Sequence, residues 1–388
     1  MYALRLRAEQ RNTIKFIMAA FLVVFIFYQL NFLPSIASNQ LFQRNDESAI
    51  KTCKSADTAH IYQSQTCKYV YRYPLTPVQK TSGGKSFRIA AIADLDAERS
   101  RVPNEKFKWR SYIKYGHLTE YRNGKYSAQW DKQYTLTSKL NEKGRGFELS
   151  ELCVFNGKLY TVDDRTGIVY HLYGTKEKTK PVPWVILQDG DGLDTKGFKG
   201  EWMTVKDGAL YVGGLGKEWT TQEGDFINYH PLFVKSISPD GHVVHHNWTD
   251  NYLKIRAKAG VHFPGYMIHE AVMWSSIKRR WYFLPRRMST LKYNDVEDER
   301  HGTNVLISCD ANFADVTLVR VGKLEPTHGF SSFKFVPGTG DDVAVALKSR
   351  EVDGEISSFI MVFNVETGHV LLDETKVDNE KFEGIEFI

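Results

Sequence analysis

A repeated unit constrains this chain more than any other feature. Short β-type runs recur along it, each introduced by a small polar or acidic residue. Glu148–Glu151 precedes CVFNGKLY, Gly200-Glu201 precedes WMTVKDGALYV and His269-Glu270 precedes AVMWSSIKRRWYF. Gly329–Ser332 precedes FKFVPGTGDDVAVAL and Phe382–Gly384 precedes IEFI. The steps Ser150→Glu201→Glu270→Ser331→Glu383 are 51, 69, 61 and 52 residues. Units of this size, each a few strands long, specify propeller blades. Asn156-Gly157 and Asp207-Gly208, set between alternating apolar residues, read as hairpin turns. With 29 glycines, 13% aromatic residues and no long 3.6-residue periodicity, the expected fold is all-β, a five-bladed β-propeller. The last unit has a single strand, so Phe87–Ala93 is expected to complete its blade and close the ring.

Equivalent positions at the start of each innermost strand converge on a propeller's axis. Here they are Ser150, Glu201, Glu270, Ser331 and Glu383. Three carboxylates about 4 Å apart repel by about 4 kcal/mol per pair at an effective dielectric near 20. Such a set calls for a cation, and all-oxygen donors suit Ca²⁺. The alternative is that these residues lie at exposed strand starts and never meet.

The amino end is organised differently. Phe16–Phe27 is almost wholly apolar, no charge occurs from Phe16 to Gln43, and Arg5, Arg7, Arg11 and Lys15 precede the run. The sequence therefore predicts a cytoplasmic tail (1–15), a transmembrane signal anchor (16–36), a lumenal stem (37–85) and a propeller (86–388). A cleaved signal peptide, with Ile36-Ala37-Ser38 at the cut, is the alternative. Asn247-Trp248-Thr249 is a glycosylation sequon, and Cys53 and Cys67 could pair in an oxidising compartment. Cys153 and Cys309, in strand-like runs, read as buried thiols. Of the net charge of +5, +3 lies in the first fifteen residues, which excludes nucleic acid as a bulk partner.

The stretches IADLDAERS (92–100), ELSELCVFNGKLYTVDDRTGIVY (148–170), GFKGEWMTVKDGALYVGGLGKEWTT (197–221), GYMIHEAVMW (265–274), WYFLPRR (281–287), THGFSSFKF (327–335) and FEGIEFI (382–388) resemble the soluble calcium-activated nucleotidase family of apyrases. The resemblance runs from about residue 86 to the last residue. It implies a five-bladed propeller that hydrolyses nucleoside di- and triphosphates with Ca²⁺ near the axis. It also implies an endoplasmic reticulum or Golgi location and a preference for UDP and GDP. Carried over by position, the Ca²⁺ ligands are Ser150, Glu201, Glu270, Ser331 and Glu383, and Asp94, Asp164 and Arg286 are needed for activity.

A polyphosphate approaching three glutamates and one Ca²⁺ still meets net negative charge, so cations are expected at the rim. Arg286 and Arg165 are the first candidates, followed by Lys217 and Lys348. Asp94 or Asp164 would orient the attacking water, while Asp96 and Asp163, one or two residues away, are expected to point to the opposite face. Trp219 is a candidate shelf for the base, or else a core tryptophan. The expected partners are a nucleotide and the membrane, with a second copy of the chain left open. Gly213–Lys217 lacks phosphate-loop spacing, His269-Glu270 lacks the second histidine of a zinc helix, and no GxSxG elbow occurs. His245-His246 reads as a solvated loop and Glu297–Arg300 as a solvent-facing charge run.

Overall fold

The computed structural model describes residues 69–388. The expected anchor (16–36) and the Cys53–Cys67 pair lie outside the described residues. Among those described, no helix is long and apolar enough to cross a membrane. In chain order, β1 (Gln79–Thr81), β2 (Gly84–Ala93), β3 (Trp109–Tyr121) and β4 (Tyr126–Ser138) come first. Next come β5 (Leu149–Phe155), β6 (Lys158–Asp163), β7 (Ile168–Tyr173) and β8 (Lys180–Ile186), which pair in that order as one antiparallel blade. The second blade is β9 (Trp202–Lys206), β10 (Ala209–Gly213), β13 (Phe233–Ile237) and β14 (Val243–Asn247), with the small hairpin β11 (Trp219–Thr220)–β12 (Phe226–Asn228) inserted.

The third blade runs β15 (Tyr266–Ser275), β16 (Arg280–Ser289), β17 (Val305–Asp310), β18 (Thr317–Arg320). The fourth runs β19 (His328–Phe335), β20 (Val343–Val352), β21 (Glu355–Asn364), β22 (Val370–Asp378). The last strand, β23 (Phe382–Phe387), pairs with β2, so the fifth blade is β23-β2-β3-β4 and the two ends of the domain share one sheet. The innermost strands β5, β9, β15, β19 and β23 each touch the next and close a ring.

Each hairpin follows from its turn residues. Asn156 and Gly157 adopt φ of 48° and 70°, Asp207 and Gly208 of 50° and 76°, the left-handed pair that a two-residue hairpin turn requires. The apolar runs of β2 and β5 reflect burial on both faces. In β2, Ile89 and Ala91 pack toward the fourth blade while Ala90 and Ile92 pack toward the first. One such core lies between every pair of neighbouring blades, and that between the second and third holds Trp202, Trp248, Trp274 and Trp281. Each fully buried large side chain contributes roughly 1.5–3 kcal/mol. Interlocked in a circle, these cores hold the five inner strands at fixed distances from the axis.

Two expectations change here. Residues 69–85 are not a free stem: Val70 N–H donates to Asn156 Oδ1 (2.7 Å), Tyr73 OH to Glu386 Oε1 (3.1 Å), and β1 pairs with the start of β2. Tyr73 also packs edge-on against Phe387, so apolar burial binds this segment to the propeller. His245 and His246 are not in a loop but in β14, where His246 stacks on Tyr211 and its Nε2 meets Ser236 Oγ (2.8 Å). Cys153 and Cys309 are buried free thiols.

Candidate active site

Four of the five axial positions share one backbone device. The ladders that flank Ser150, Glu270, Ser331 and Glu383 each slip at that residue, which is left without an opposite partner. These are β-bulges, which break alternation and re-aim a side chain. Glu201 comes just before β9, its N–H donating to Gly213 O (2.8 Å). Gly213 is required there, because a Cβ would stand 2.0 Å from the Trp202 ring.

The side chains so aimed are buried, at 0–3% exposure for Ser150, Glu201, Ser331 and Glu383 and 9% for Glu270. Cations interleave with the carboxylates. Arg286 on β16 donates from Nη1 to Glu270 Oε2 (2.7 Å) and Glu383 Oε1 (3.0 Å), and from Nη2 to Glu351 Oε2 (2.6 Å). Lys199 bridges Asp164 and Glu201, the latter at 2.6 Å. Lys381 reaches Asp94 Oδ2 (3.0 Å), Asp96 Oδ2 (3.1 Å), Glu383 Oε1 (3.3 Å) and Glu351 Oε1 (3.5 Å). The remaining acid, Glu148, is held by a two-pronged contact from Arg145.

Burial, only partly opposed by Lys199 and reinforced by Glu270, pushes the Glu201 carboxyl up to about 8. Burial raises Glu383 well above the usual range against the pull of Lys381, with Glu270 and Asp94 adding to it. Glu351 is also buried, yet Lys381 and Arg286 hold it below its ordinary value. Burial alone would neutralise Lys199, Lys381 and Arg286, but the acids around them keep all three firmly charged.

Several buried oxygens here have no hydrogen-bond partner: Ser150 Oγ, Ser331 Oγ and Asp164 Oδ1. An orphaned buried hydroxyl costs roughly 1–3 kcal/mol unless something satisfies it. Buried hydroxyls and glutamates are oxygen donors of the kind a hard divalent cation such as Ca²⁺ takes, and among the described residues the acids whose oxygens lie within 4.8 Å of one another are Asp94, Asp96 and Glu148.

A cavity of about 330 Å³ opens beside these residues, its lining including Lys199, Glu201, Glu270, Arg286, Lys217, Trp219 and Tyr293. Lys217 donates to Glu218 O (2.8 Å) and Thr220 Oγ1 (3.0 Å), lies 4.3 Å from the Tyr293 ring centre, and burial lowers its ammonium to about 8. Trp219 is half-buried in the wall, not in a blade core.

Other candidates fall elsewhere. Lys348 does not line the cavity: it is 1% exposed, paired with Glu374 and set over the Phe330 ring. Arg165 follows β6, where its N–H donates to Asp163 Oδ1 (3.0 Å), and it is absent from the cavity wall. Asp163 holds the turn, also accepting from Phe147 N–H (2.8 Å) and Thr166 Oγ1 (2.8 Å). Asp96 does not point away from Asp94. The strand ends at Ala93, Asp96 takes φ of 49°, and its carboxylate gathers with those of Asp94 and Glu148, with Lys381 reaching Asp94 and Asp96.

Glu297–Arg300 is not wholly solvent-facing. Asp298 ends the short helix α1 (Asp295–Asp298), accepts from Tyr266 OH (2.5 Å) and lines the cavity. Lys199, Glu351 and Lys381 were missed, although Lys199-Gly-Glu201 and Lys381-Phe-Glu383 share a Lys two residues before an axial Glu.

Fold and site together define a β-propeller with a carboxylate-rich, cation-interleaved pocket at one end of its axis. The apyrase family profile matches residues 96–388, and the chain belongs to that family. It is 52% identical to "Soluble calcium-activated nucleotidase 1" of Rattus norvegicus over 86% of this chain and 82% of the relative. It is 46% identical to "Apyrase apy-1" of Caenorhabditis elegans over 79% and 85%, and 45% identical to "Apyrase" of Cimex lectularius over 82% and 86%.

Proposed function

We propose that this protein is a Ca²⁺-dependent nucleoside diphosphatase of the secretory lumen, cleaving UDP and GDP, and triphosphates as well, to a shorter nucleotide and phosphate. Membership of the apyrase family and relatives named for calcium activation support a metal-dependent nucleotide phosphatase. The observation that carries the reading is that Ser150, Glu201, Glu270, Ser331 and Glu383 are all buried in, or just before, the innermost strands of the five blades, with both serine hydroxyls orphaned.

Ser150, Glu201, Glu270, Ser331 and Glu383 would hold the ion. When bound, Ca²⁺ supplies Lewis-acid polarisation and a template for phosphate oxygens. The chain's own residues do the rest. Arg286, charged and fixed by three acids, and Lys199 present positive charge to the departing phosphate. Asp164 Oδ1, buried and unpartnered, would accept a hydrogen bond from the attacking water and orient it. Asp94, held by Lys381, is the other candidate for that role. Trp219 supplies the wall for the nucleobase.

The lumenal location is supported by the charge-free run at 16–36, with basic residues before it, and by the exposure of Asn247 in its sequon. UDP and GDP are products of sugar transfer from nucleotide sugars, so removing them would favour glycosylation. The test is phosphate release from UDP, GDP, ADP and ATP by the purified full chain with Ca²⁺, Mg²⁺ or chelator. The proposal expects Ca²⁺-dependent release, fastest from UDP and GDP. Fastest release from ATP and ADP would point to a broad extracellular apyrase, and release in chelator would remove the metal.

A further inference from the structure

Trp219 is held by a small device that is not part of the metal pocket. Its indole N–H points to Asp189 Oδ2 (3.4 Å), and the same oxygen accepts from Lys196 Nζ (2.9 Å). Lys196 Nζ lies 4.8 Å from the centre of the indole ring, within range for attraction between an ammonium and a π face. Trp219 lines the cavity and Lys196 does not.

The clamp is itself anchored. Asp189 is 2% exposed. Its N–H donates to Lys196 O (3.0 Å), and Lys196 N–H donates to Asp194 Oδ1 (3.0 Å), which closes the loop between them. Gly190 and Gly192 take φ of 55° and 92° in this loop, and Lys235 donates to Gly190 O from below. Trp219 lies on the short inserted hairpin β11–β12, where its apolar contacts are Leu215, Tyr266 and Ile268. Asp189 and Lys196 add the polar partners that select one orientation of the indole.

We infer that Asp189 and Lys196 are positioning residues for substrate recognition. They fix the Trp219 indole as the nucleobase wall and so set affinity for the base end of the substrate, leaving bond cleavage to the axial cluster. This rests on the reading of Trp219 given above. The arrangement separates two tasks along one cavity, with phosphate chemistry at Arg286 and Lys199 and base recognition at Trp219.

The test compares GDP and UDP turnover with inhibition by imidodiphosphate, a competitor without a base, using the full chain with Ca²⁺. Asp189→Asn and Lys196→Gln are expected to raise KM about three- to tenfold with kcat within about twofold. The inhibition constant of imidodiphosphate should stay unchanged, and Lys196→Arg, which keeps a cation over the ring, should restore KM. Trp219→Ala should raise KM at least as much, and Lys196→Gln should add nothing to it. If Trp219→Ala left KM unchanged, the base-wall reading itself would fail. If Trp219→Ala raised KM but Asp189→Asn and Lys196→Gln did not, the clamp would be overturned. A rise in the imidodiphosphate constant alongside KM would overturn it equally, by placing the effect at the phosphate end.

Discussion

Arg286 and Glu383 are 97 residues apart in the chain, yet Nη1 of one lies 3.0 Å from Oε1 of the other. The contact joins the second strand of the third blade to the strand that closes the ring. The same guanidinium also reaches Glu270 and Glu351, and no other side-chain type could serve all three. Arg286→Lys should therefore fail to substitute. Phosphate release is expected to fall about 100-fold or more, the usual size for losing a fixed donor at developing charge. Steady-state kinetics at saturating Ca²⁺ check this, and near-normal kcat in Arg286→Lys would refute the role.

Ligand and water-orienting acids should separate by assay. Glu201→Gln is expected to weaken Ca²⁺ binding, read by titration calorimetry. Asp164→Asn should leave that affinity within a few-fold while cutting kcat about 10²–10⁴-fold. Identical behaviour of the two variants would dissolve the division.

Lys199 contacts two acids of the site, including an axial one. A cation there competes with a divalent ion for the same oxygens. Lys199→Gln should then tighten Ca²⁺ binding, by about three- to tenfold if the pair resembles other partly buried ion pairs, while lowering kcat. Weaker Ca²⁺ binding in this variant would contradict the competition.

The inner-strand positions of Ser150, Glu201, Glu270, Ser331 and Glu383 were legible because the repeat aligned them, and the turns at Asn156-Gly157 and Asp207-Gly208 because their chemistry is local. The closure of β23 on β2 followed from a strand count. The bulges at Ser150, Glu270, Ser331 and Glu383 were not legible, since a one-residue slip in a ladder leaves no trace in composition. Glu351 escaped because only tertiary folding brings it to Lys381 and Arg286, 30 and 65 residues away in the chain. Asp298 hid in a charge run whose inward member is chosen by Tyr266, on a different strand. Lys348 misled for the opposite reason: a strand-end lysine was read as free, but Glu374 and Phe330 hold it inside the blade.

Burial raises several carboxyls in the ion-free protein: Glu201 to about 8, Glu148 to about 7 and Asp163 to about 6. Their unfolded values lie near 4. Between those limits these carboxyls hold more protons in the folded chain than in the unfolded one, so their contribution to stability falls as pH rises, while buried His269, lowered to about 3, acts in the opposite sense up to about pH 6.5. In chelator, Tm should decline from about pH 6.5 to about pH 8. With saturating Ca²⁺, which needs ionised ligands, the decline should flatten or reverse. A Tm that rose over the same pH range in chelator would contradict the raised carboxyls.

The segment before β1 contributes to stability through Tyr73, which packs on Phe387 and bonds Glu386. Tyr73 is half-buried, so Tyr73→Ala is expected to cost about 2 kcal/mol, below a full core truncation, and Tyr73→Phe about 1 kcal/mol. Urea unfolding of the full chain measures both, and equal stability of Tyr73→Ala and the parent would show the contact to be idle.

The most direct test of the whole account is Ca²⁺ titration of the purified protein beside single variants of the three glutamates drawn from separate blades. Gathering of Glu201, Glu270 and Glu383 around one ion predicts one tight site that each glutamine substitution weakens severely, with turnover lost in parallel. Unchanged affinity in all three variants, with phosphate release persisting in chelator, would contradict it.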